Sequence, residues 1–319
     1  MLGLFIGESG MRMRKDLPEP EVCGGETLIE VLRAGVCSTD LALMRGYLGF
    51  RGVPGHEFVG RALGGPFRGK RVVGEINAGC GRCESCLHQW HRHCPHRTVL
   101  GILGRPGAFS QRIVLPTMNL HEIPDEVPDD FAVFVEPLAA AFRIVEQVEL
   151  WNTSRCLVIG DGKLGILVAN VLGRRCRVVI SGHHRERAAL LPESVEWREE
   201  LPDRPQLSSE RFDVVVEATG RTEMLARAAA WVRAQGTVVL KTTSELPGSI
   251  DLAPLVVDEI TVQGSRCGPF EPAIDVLLRG DVPVERMIEA RYPLERADEA
   301  IRHASKAGVL KVLICGSAE

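Results

Sequence analysis

Four cysteines fall within a single short run, Cys80-Gly-Arg-Cys83-Glu-Ser-Cys86, followed by Cys94. No other feature constrains the fold so tightly. A segment with this spacing closes on a metal ion rather than on an apolar core of its own. Four thiolates surround one Zn²⁺ tetrahedrally and leave no open position, so the role expected for Cys80, Cys83, Cys86 and Cys94 is structural. Gly79 and Gly81 let the chain turn tightly toward the ion. His88, His91, His93 and His96 are rival ligands, and C-x₂-C-x₂-C also occurs at iron–sulfur clusters. The plain alternative, four unligated thiols in an exposed loop, fits poorly with spacing this regular. The other six cysteines, Cys23, Cys37, Cys156, Cys176, Cys267 and Cys315, are scattered. A secreted disulfide framework is short and dense in cysteine, and this chain is neither.

Charge and hydropathy narrow the class further. The net charge is 38 − 42 = −4, which excludes a chain-wide basic field for nucleic acid. Apolar runs such as Phe131–Val135 are far shorter than the ~20 residues needed to cross a bilayer, so no membrane partner is expected. The first residues meet an acid at Glu8 and lack a basic run, unlike a signal peptide, and the cytoplasm is the expected compartment. At 319 residues the chain has room for two domains.

The residue pattern changes near Val135. Before it, short apolar stretches such as Thr27–Leu32 and Arg71–Val73 alternate with glycine-rich turns and read as a β-rich domain. After it, a helix over Pro137–Val148 leads into alternating strands and helices. Strands are expected at Arg155–Ile159, Arg177–Ile180, Phe212–Glu217, Thr237–Leu240 and Ile260–Gln263. Helices are expected at Leu164–Leu172, Met224–Val232 and Glu271–Leu278. This is the pattern of a parallel, doubly wound α/β sheet. The tail, ending in the strand-like Lys311–Ile314, is too short to stand alone and is expected to return to the first domain.

A second set of chemistry-bearing residues is dispersed: Gly35-Val-Cys37-Ser-Thr39-Asp40, Gly55-His56-Glu57-Phe-Val-Gly60 and Val135-Glu136-Pro137. Singly, each has a bland explanation: a core thiol, a hydrogen-bonded histidine, a surface acid, an acid in the first turn of a helix. Their order, together with the four-cysteine run and a later glycine motif, resembles the zinc-dependent medium-chain dehydrogenase/reductase superfamily, which includes alcohol, sorbitol and threonine dehydrogenases.

The resemblance runs almost end to end. It implies a GroES-like β-rich catalytic domain over 1–137 and 267–319, a Rossmann nucleotide-binding domain over 138–266, and an active site in the cleft between them. It implies two zinc ions per chain, one structural and one catalytic. Cys37, His56 and Glu136 would be the protein ligands of the catalytic zinc. Glu136 stands where alcohol dehydrogenases carry cysteine and polyol dehydrogenases glutamate. Glu57 could approach or exchange onto the metal, Asp40 would orient His56, and Thr39 would hydrogen-bond the substrate oxygen. Relatives are homodimers or homotetramers, and the same is expected here. Two departures stand out. Only 18 residues separate Cys37 from His56, which implies a more open wall on the substrate side. Leu41, Ala42 and Leu43 stand where a relay histidine often follows, so the proton must leave by water or another group.

The nucleotide site is read from Cys156-Leu-Val-Ile-Gly160-Asp161-Gly162-Lys163-Leu164-Gly165, a strand followed by G-x-G-x-x-G and a helix. Gly160 makes the turn, Gly162 admits the pyrophosphate, Gly165 allows close packing, and backbone N–H groups at the helix start hold the phosphates. The second strand reads Val178-Val-Ile-Ser181-Gly182-His183-His184-Arg185. It lacks the terminal acid that holds the ribose hydroxyls of NAD, and its small residues followed by His and Arg suit a 2′-phosphate. NADP is therefore expected over NAD, with Glu186 the rival if the turn is offset. Ser265, Arg266 and Lys311 are weaker cofactor candidates.

The expected activity is hydride transfer between a small alcohol or polyol, with its carbonyl, and NADP(H). The competing readings are an NAD-dependent sorbitol- or threonine-dehydrogenase-like enzyme and a non-catalytic member that binds zinc and nucleotide. A zinc-free quinone reductase is disfavoured because Cys37, His56 and Glu136 are all present.

Overall fold

The computed structural model describes residues 1–243 and 250–316. The chain opens with a hairpin, β1 (Gly3–Gly7) and β2 (Gly10–Arg14), followed by the long strand β3 (Glu26–Gly35) and helix α1 (Ser38–Met44). Next come β4 (Glu57–Ala62), β5 (Arg71–Gly74), and a small lobe of β6 (Asn77–Ala78), α2 (Glu84–Leu87), β7 (Thr98–Leu100) and β8 (Gly104–Arg105). Strands β9 (Arg112–Pro116) and β10 (Leu120–Glu122) and helix α3 (Asp129–Ala132) complete this region before α4 (Val135–Gln147).

Strands and helices then alternate: β11 (Arg155–Ile159), α5 (Lys163–Leu172), β12 (Arg177–Gly182), β13 (Val195–Glu199), β14 (Phe212–Glu217), α6 (Met224–Trp231), β15 (Val232–Leu240), α7 (Ala253–Val257) and β16 (Thr261–Gly264). The chain ends with α8 (Glu271–Leu278), β17 (Ile288–Pro293), α9 (Ala297–Ala304) and β18 (Lys311–Cys315).

Two compact units result, one of Met1–Glu136 with Phe270–Glu319, the other of Pro137–Pro269. In the first, a sheet runs β10-β5-β4-β3-β18-β17, with β9 also on β3. The tail does return to this unit: β18 pairs antiparallel with β3, Leu313 opposite Gly35. Apolar side chains at Ile29, Val31, Ala34, Phe58, Ile113 and Leu115 are buried here; burial alternates along the first part of β3, while β4 and β9 carry consecutive buried residues.

In the second unit six strands lie in the order β13-β12-β11-β14-β15-β16. Every recorded pairing is parallel, the doubly wound arrangement that the alternating pattern implies. Leu157, Val215, Val238, Phe212 and Trp231 form a core cluster in this unit. Burying each such side chain contributes ~1.5–3 kcal/mol.

The differences from the sequence reading are local. Strand β13 is an addition; Val195-Glu196-Trp197-Arg198-Glu199 carries too many charges to read as a strand, yet as an edge strand it needs only one partner. Strand β15 begins five residues before the expected Thr237, because Val232 pairs Phe212 across a register shift. Between β12 and β13 a single 3₁₀ segment, Arg185–Leu190, stands where a full crossover helix is usual.

Candidate active site and metal centres

The four-cysteine run closes on one point. The Sγ atoms of Cys80, Cys83, Cys86 and Cys94 lie within 4.8 Å of one another. Gly81 supplies a left-handed turn at φ +73°, and a side chain at Gly79 would stand 3.0 Å from Cys86 Sγ. The Cys80 N–H points at Cys94 Sγ, 3.4 Å away. Backbone N–H groups of Arg82 and Cys83 draw the Cys80 thiol down to about 6, toward the thiolate that a metal requires. None of the neighbouring histidines joins either metal-donor group among the described residues. The donor set, four thiolates in a tetrahedral-sized cluster, fits Zn²⁺.

The second group brings Cys37, His56 and Glu57 together, again with donor atoms within 4.8 Å. Its construction starts from Asp40, which is fully buried in the first turn of α1. One carboxylate oxygen accepts the Cys37 N–H at 2.8 Å, closing the helix start. The other accepts the Gly55 N–H at 3.1 Å and lies 3.3 Å from His56 Nδ1. Asp40 thus binds both ligand-bearing segments to each other. Gly55 sits at φ +99°, where a side chain would meet the Phe109 ring at 2.5 Å, so only glycine lets the chain enter His56 this way.

His56 is buried, and its Nδ1 contact with Asp40 is too poorly aligned to count as a hydrogen bond. Burial pushes the imidazole down, but Asp40 and the Cys37 sulfur outweigh it and raise its pKa well above the usual value. A thiolate, an imidazole and a carboxylate suit zinc.

Glu57 begins β4 opposite Gly35. A side chain at Gly35 would stand 2.6 Å from the Glu57 carboxylate, so glycine makes room for it. Lys311, at the start of β18, donates its ammonium to Glu57 Oε2, and both residues are almost wholly buried. Burial alone would lower the Lys311 amine; the Glu57 carboxylate, then the Cys37 sulfur, raise it above its ordinary value. The ammonium also lies 5.3 Å from the centre of the Phe134 ring. Lys311, a weaker cofactor candidate from the sequence, thus has its ammonium paired within its own unit. Glu136, half-buried near the start of α4, acts electrostatically on Lys311 but does not join the three-residue donor group. Thr39 Oγ1 lies 3.8 Å from Cys37 Sγ.

In the second unit the glycine motif forms a turn whose three glycines meet different surroundings. Gly160 has φ +107°. A side chain at Gly165 would collide with the Gly160 carbonyl at 1.8 Å, so α5 packs directly on the turn. Gly162, which precedes Lys163 at the helix start, faces open space. That open, N–H-rich corner fits a nucleotide pyrophosphate. Lys163 and Leu164 sit half-buried on the first turn of α5.

The end of β12 departs more from expectation. Ser181 is not free to meet a ribose: its hydroxyl donates to Glu199 O at 3.3 Å and accepts the Leu201 N–H. His183 is exposed and faces Glu200 at 3.4 Å. Arg185 is exposed. Asp161 is buried, and its carboxylate accepts the His184 N–H at 2.8 Å. Arg187, which the sequence pattern did not single out, is also buried and donates to the Asp161 carbonyl at 2.7 Å. Ser265 and Arg266 are held by Lys241, whose ammonium donates to Ser265 Oγ at 3.2 Å and Arg266 O at 3.1 Å. A cavity of about 420 Å³ lined by Ser154, Asp213, Arg233 and Thr261 lies at the opposite, N-terminal end of the sheet and contributes nothing to this site.

Residues 24–125 match the alcohol dehydrogenase GroES-like domain family. The chain is 30% identical over 328 residues to the L-threonine 3-dehydrogenase of Streptomyces coelicolor, covering 94% of each. Its fold superposes on a zinc-binding dehydrogenase of Sinorhizobium meliloti 1021, bound to NADP, with a TM-score of 0.84, 25% identity and 98% of each chain covered. It also superposes on the rspB alcohol dehydrogenase of Escherichia coli CFT073, complexed with NADH, with a TM-score of 0.87, 24% identity and 99% coverage of each. Among the described residues no helix is long and apolar enough to cross a membrane. With a β-rich unit bearing two metal-donor groups, a doubly wound unit bearing the glycine turn, and relatives aligned along nearly the whole length, the chain belongs to the zinc-dependent medium-chain dehydrogenase/reductase superfamily and is an NAD(P)-linked oxidoreductase.

Proposed function

We propose that the chain transfers a hydride between a small alcohol or polyol, with its carbonyl, and NADP(H), using one catalytic and one structural zinc. The observation that carries the reading is the buried Cys37–His56–Glu57 group, preassembled by Asp40 and charge-balanced by Lys311. When bound, Zn²⁺ would supply Lewis acidity toward an alcohol or carbonyl oxygen. Cys37, His56 and Glu136, with Glu57 beside them, would hold it. Asp40 keeps the Cys37 and His56 segments in register, so the donors need little reorganisation. Lys311 pairs with the Glu57 carboxylate in a buried setting. Thr39 is near enough to Cys37 to hydrogen-bond a substrate oxygen and pass its proton outward. Leu41, Ala42 and Leu43 offer no group to continue that path, so water or another group takes the proton on.

In the second unit Gly160, Gly162 and Gly165, with the backbone at Asp161, Lys163 and Leu164, would cradle the pyrophosphate. Gly182, His183 and Arg185 would receive the adenosine ribose. Arg185 is exposed and available for a 2′-phosphate. One charge-assisted contact of ~1.5–3 kcal/mol corresponds to a ten- to hundredfold preference for NADP. The NADP-bound Sinorhizobium relative supports this choice. A second reading, an NAD-dependent threonine-dehydrogenase-like enzyme, draws its support from the Streptomyces relative.

The chain would act in the cytoplasm as a homodimer or homotetramer. Strand β16 is an open edge of its sheet, and Val256 and Val257 on α7 are 74% and 78% exposed, which suits contact between copies. A panel of alcohols and carbonyls, each tried with NAD(H) and NADP(H) and read by reduced-nicotinamide absorbance, tests the whole reading. Oxidation of small alcohols with NADP is the expected result. Threonine oxidised faster than any simple alcohol, and with NAD, would replace it with the second reading. Titration of both cofactors into wild type and Arg185→Ala isolates the nucleotide step, and an unchanged NADP-to-NAD ratio in the variant would remove Arg185 from it.

A further inference from the structure

Strand β12 ends at Gly182, where an acid is expected if the ribose hydroxyls of NAD are to be held. The structure supplies a steric reason for the missing acid. A Cβ on Gly182 would stand 2.0 Å from Asp161 Cγ and 2.3 Å from Asp161 Oδ2. Gly182 does not lie in the left-handed region, so space and not backbone conformation excludes a side chain. Asp161 cannot swing aside cheaply. Its Oδ2 accepts the His184 N–H at 2.8 Å, and its Oδ1 lies 3.1 Å from His184 Nδ1 and 3.4 Å from Arg187 Nη1. The same Arg187 nitrogen donates to the Asp161 carbonyl at 2.7 Å. Moving the carboxylate would break its contacts with the buried guanidinium and with the turn N–H.

Asp161 is only 5% exposed, so its carboxylate is not offered to a ribose hydroxyl. Its charge is answered by Arg187, which is 7% exposed. At the surface of the turn His183, Arg185 and Glu186 are exposed, and Glu186 lies four residues beyond the strand-end position at Gly182. We propose that Asp161 is a specificity-determining residue: by occupying the space over Gly182 it bars an acid from the end of β12, and so keeps the ribose pocket open to a 2′-phosphate. This rests on the glycine turn binding the nucleotide, as argued above. It goes beyond that reading in making the second position of the glycine motif, and not the second strand, the origin of the choice.

The proposal is a statement of mutual exclusion, and it is tested as one. Four proteins are compared: wild type, Gly182→Asp, Asp161→Ala, and the double variant Asp161→Ala/Gly182→Asp. Thermal melting reports the clash, and fluorescence titration with NADP and NAD, without substrate, reports the choice. Gly182→Asp alone should lower Tm by about 5 °C or more, as overpacking does. Added to Asp161→Ala, the same substitution should lower Tm no further, and it should move the NADP-to-NAD affinity ratio at least tenfold toward NAD. Gly182→Ala is the milder control: it should also lower Tm in wild type and not in the Asp161→Ala background. Additive Tm losses, a Gly182→Asp protein as stable as wild type, or an unmoved ratio in the double variant would overturn the proposal. A wild-type ratio near one would count against the NADP reading alone, because the melting pattern still decides whether Asp161 and an acid at position 182 exclude each other.

Discussion

The two metal-donor groups are built in opposite ways. The cysteine lobe draws its four donors from one short run between Cys80 and Cys94, with Cys80 and Cys83 only half-buried. The Cys37–His56–Glu57 group draws on the start of α1 and the start of β4, and is balanced by Lys311, 254 residues beyond Glu57. In the lobe little but a bound metal would hold the donors together, so coordination and local folding would be one event. In the second group the donors are held by packing and hydrogen bonds: Asp40 on Cys37 and Gly55, glycine at 35 leaving room for Glu57, Lys311 on its carboxylate. The lobe should therefore fail as stability, and the buried group as turnover.

The largest expected effect tests the first half of that contrast. Cys83→Ala should release one of two zinc ions and unfold the lobe. Structural zinc is worth ~10–16 kcal/mol in isolated small domains, and even a fraction of that should lower Tm by about 10 °C or more. Elemental analysis and calorimetry on the same sample check it. A variant that keeps both metal content and Tm would mean that the four thiols do not share an ion.

The second half is tested by Cys37→Ser and Glu136→Ala. Each should lower kcat by about a thousandfold, equivalent to ~4 kcal/mol of transition-state stabilisation. Tm should stay within about 2 °C of wild type, since packing rather than metal holds this group. Cofactor affinity, measured without substrate, should be unaltered. A Tm loss as large as that of Cys83→Ala would erase the distinction between the sites. Full activity in Glu136→Ala would leave Glu57 as the carboxylate that matters.

The same contrast governs what could be read from the chain. The clustering of the four thiols was legible from spacing, because the cysteines are neighbours in sequence. Alternation of strands and helices in the second unit was legible because hydrophobic periodicity is a local property, and Glu271–Leu278 appears as a helix with the bounds expected. The role of Lys311 was not legible. The sequence makes it a weak cofactor candidate, and only the antiparallel return of β18 beside β3 shows it to be buried against Glu57. Asp161 hid for a related reason: its partners His184 and Arg187 lie more than twenty residues on, across the turn after β12. Long-range electrostatic compensation leaves no periodic trace.

Lys311→Met sharpens the comparison at the next scale down. It leaves the Glu57 carboxylate buried without its cation, which costs ~3 kcal/mol, near the lower bound for breaking a buried pair. Glu57→Gln in the same chain removes the stranded charge and should restore most of the loss. Urea denaturation of both single variants and the double gives the coupling, expected at ~1.5 kcal/mol or more. Additive losses would mean that the pair is not balanced within the buried group. The cysteine lobe contains no such pair among its donors, so no equivalent rescue exists there.

The smallest effect concerns how the lobe is attached to its sheet. Arg92, in the 3₁₀ turn before Cys94, donates to Glu75 at 3.0 Å, and His121 Nε2 stands 3.7 Å from the same carboxylate. Burial pushes the Glu75 carboxyl up, but His121 and Arg92 together outweigh it and hold its pKa below the ordinary 4.5. A carboxylate with a depressed folded pKa stabilises the protein fully above its unfolded value. That contribution is lost as pH falls through the lower folded value. Glu75→Gln should therefore cost ~1 kcal/mol at pH 7, the scale of one charge-assisted hydrogen bond on a partly exposed pair. The stability curves of wild type and variant should converge as the pH drops below about 4.5, where Glu75 begins to protonate in the unfolded chain and then in the folded one. Urea melts at a series of pH values decide it. A gap that persists unchanged into strong acid would show that Glu75 acts through packing, and that the lobe is held to its sheet by shape and metal alone.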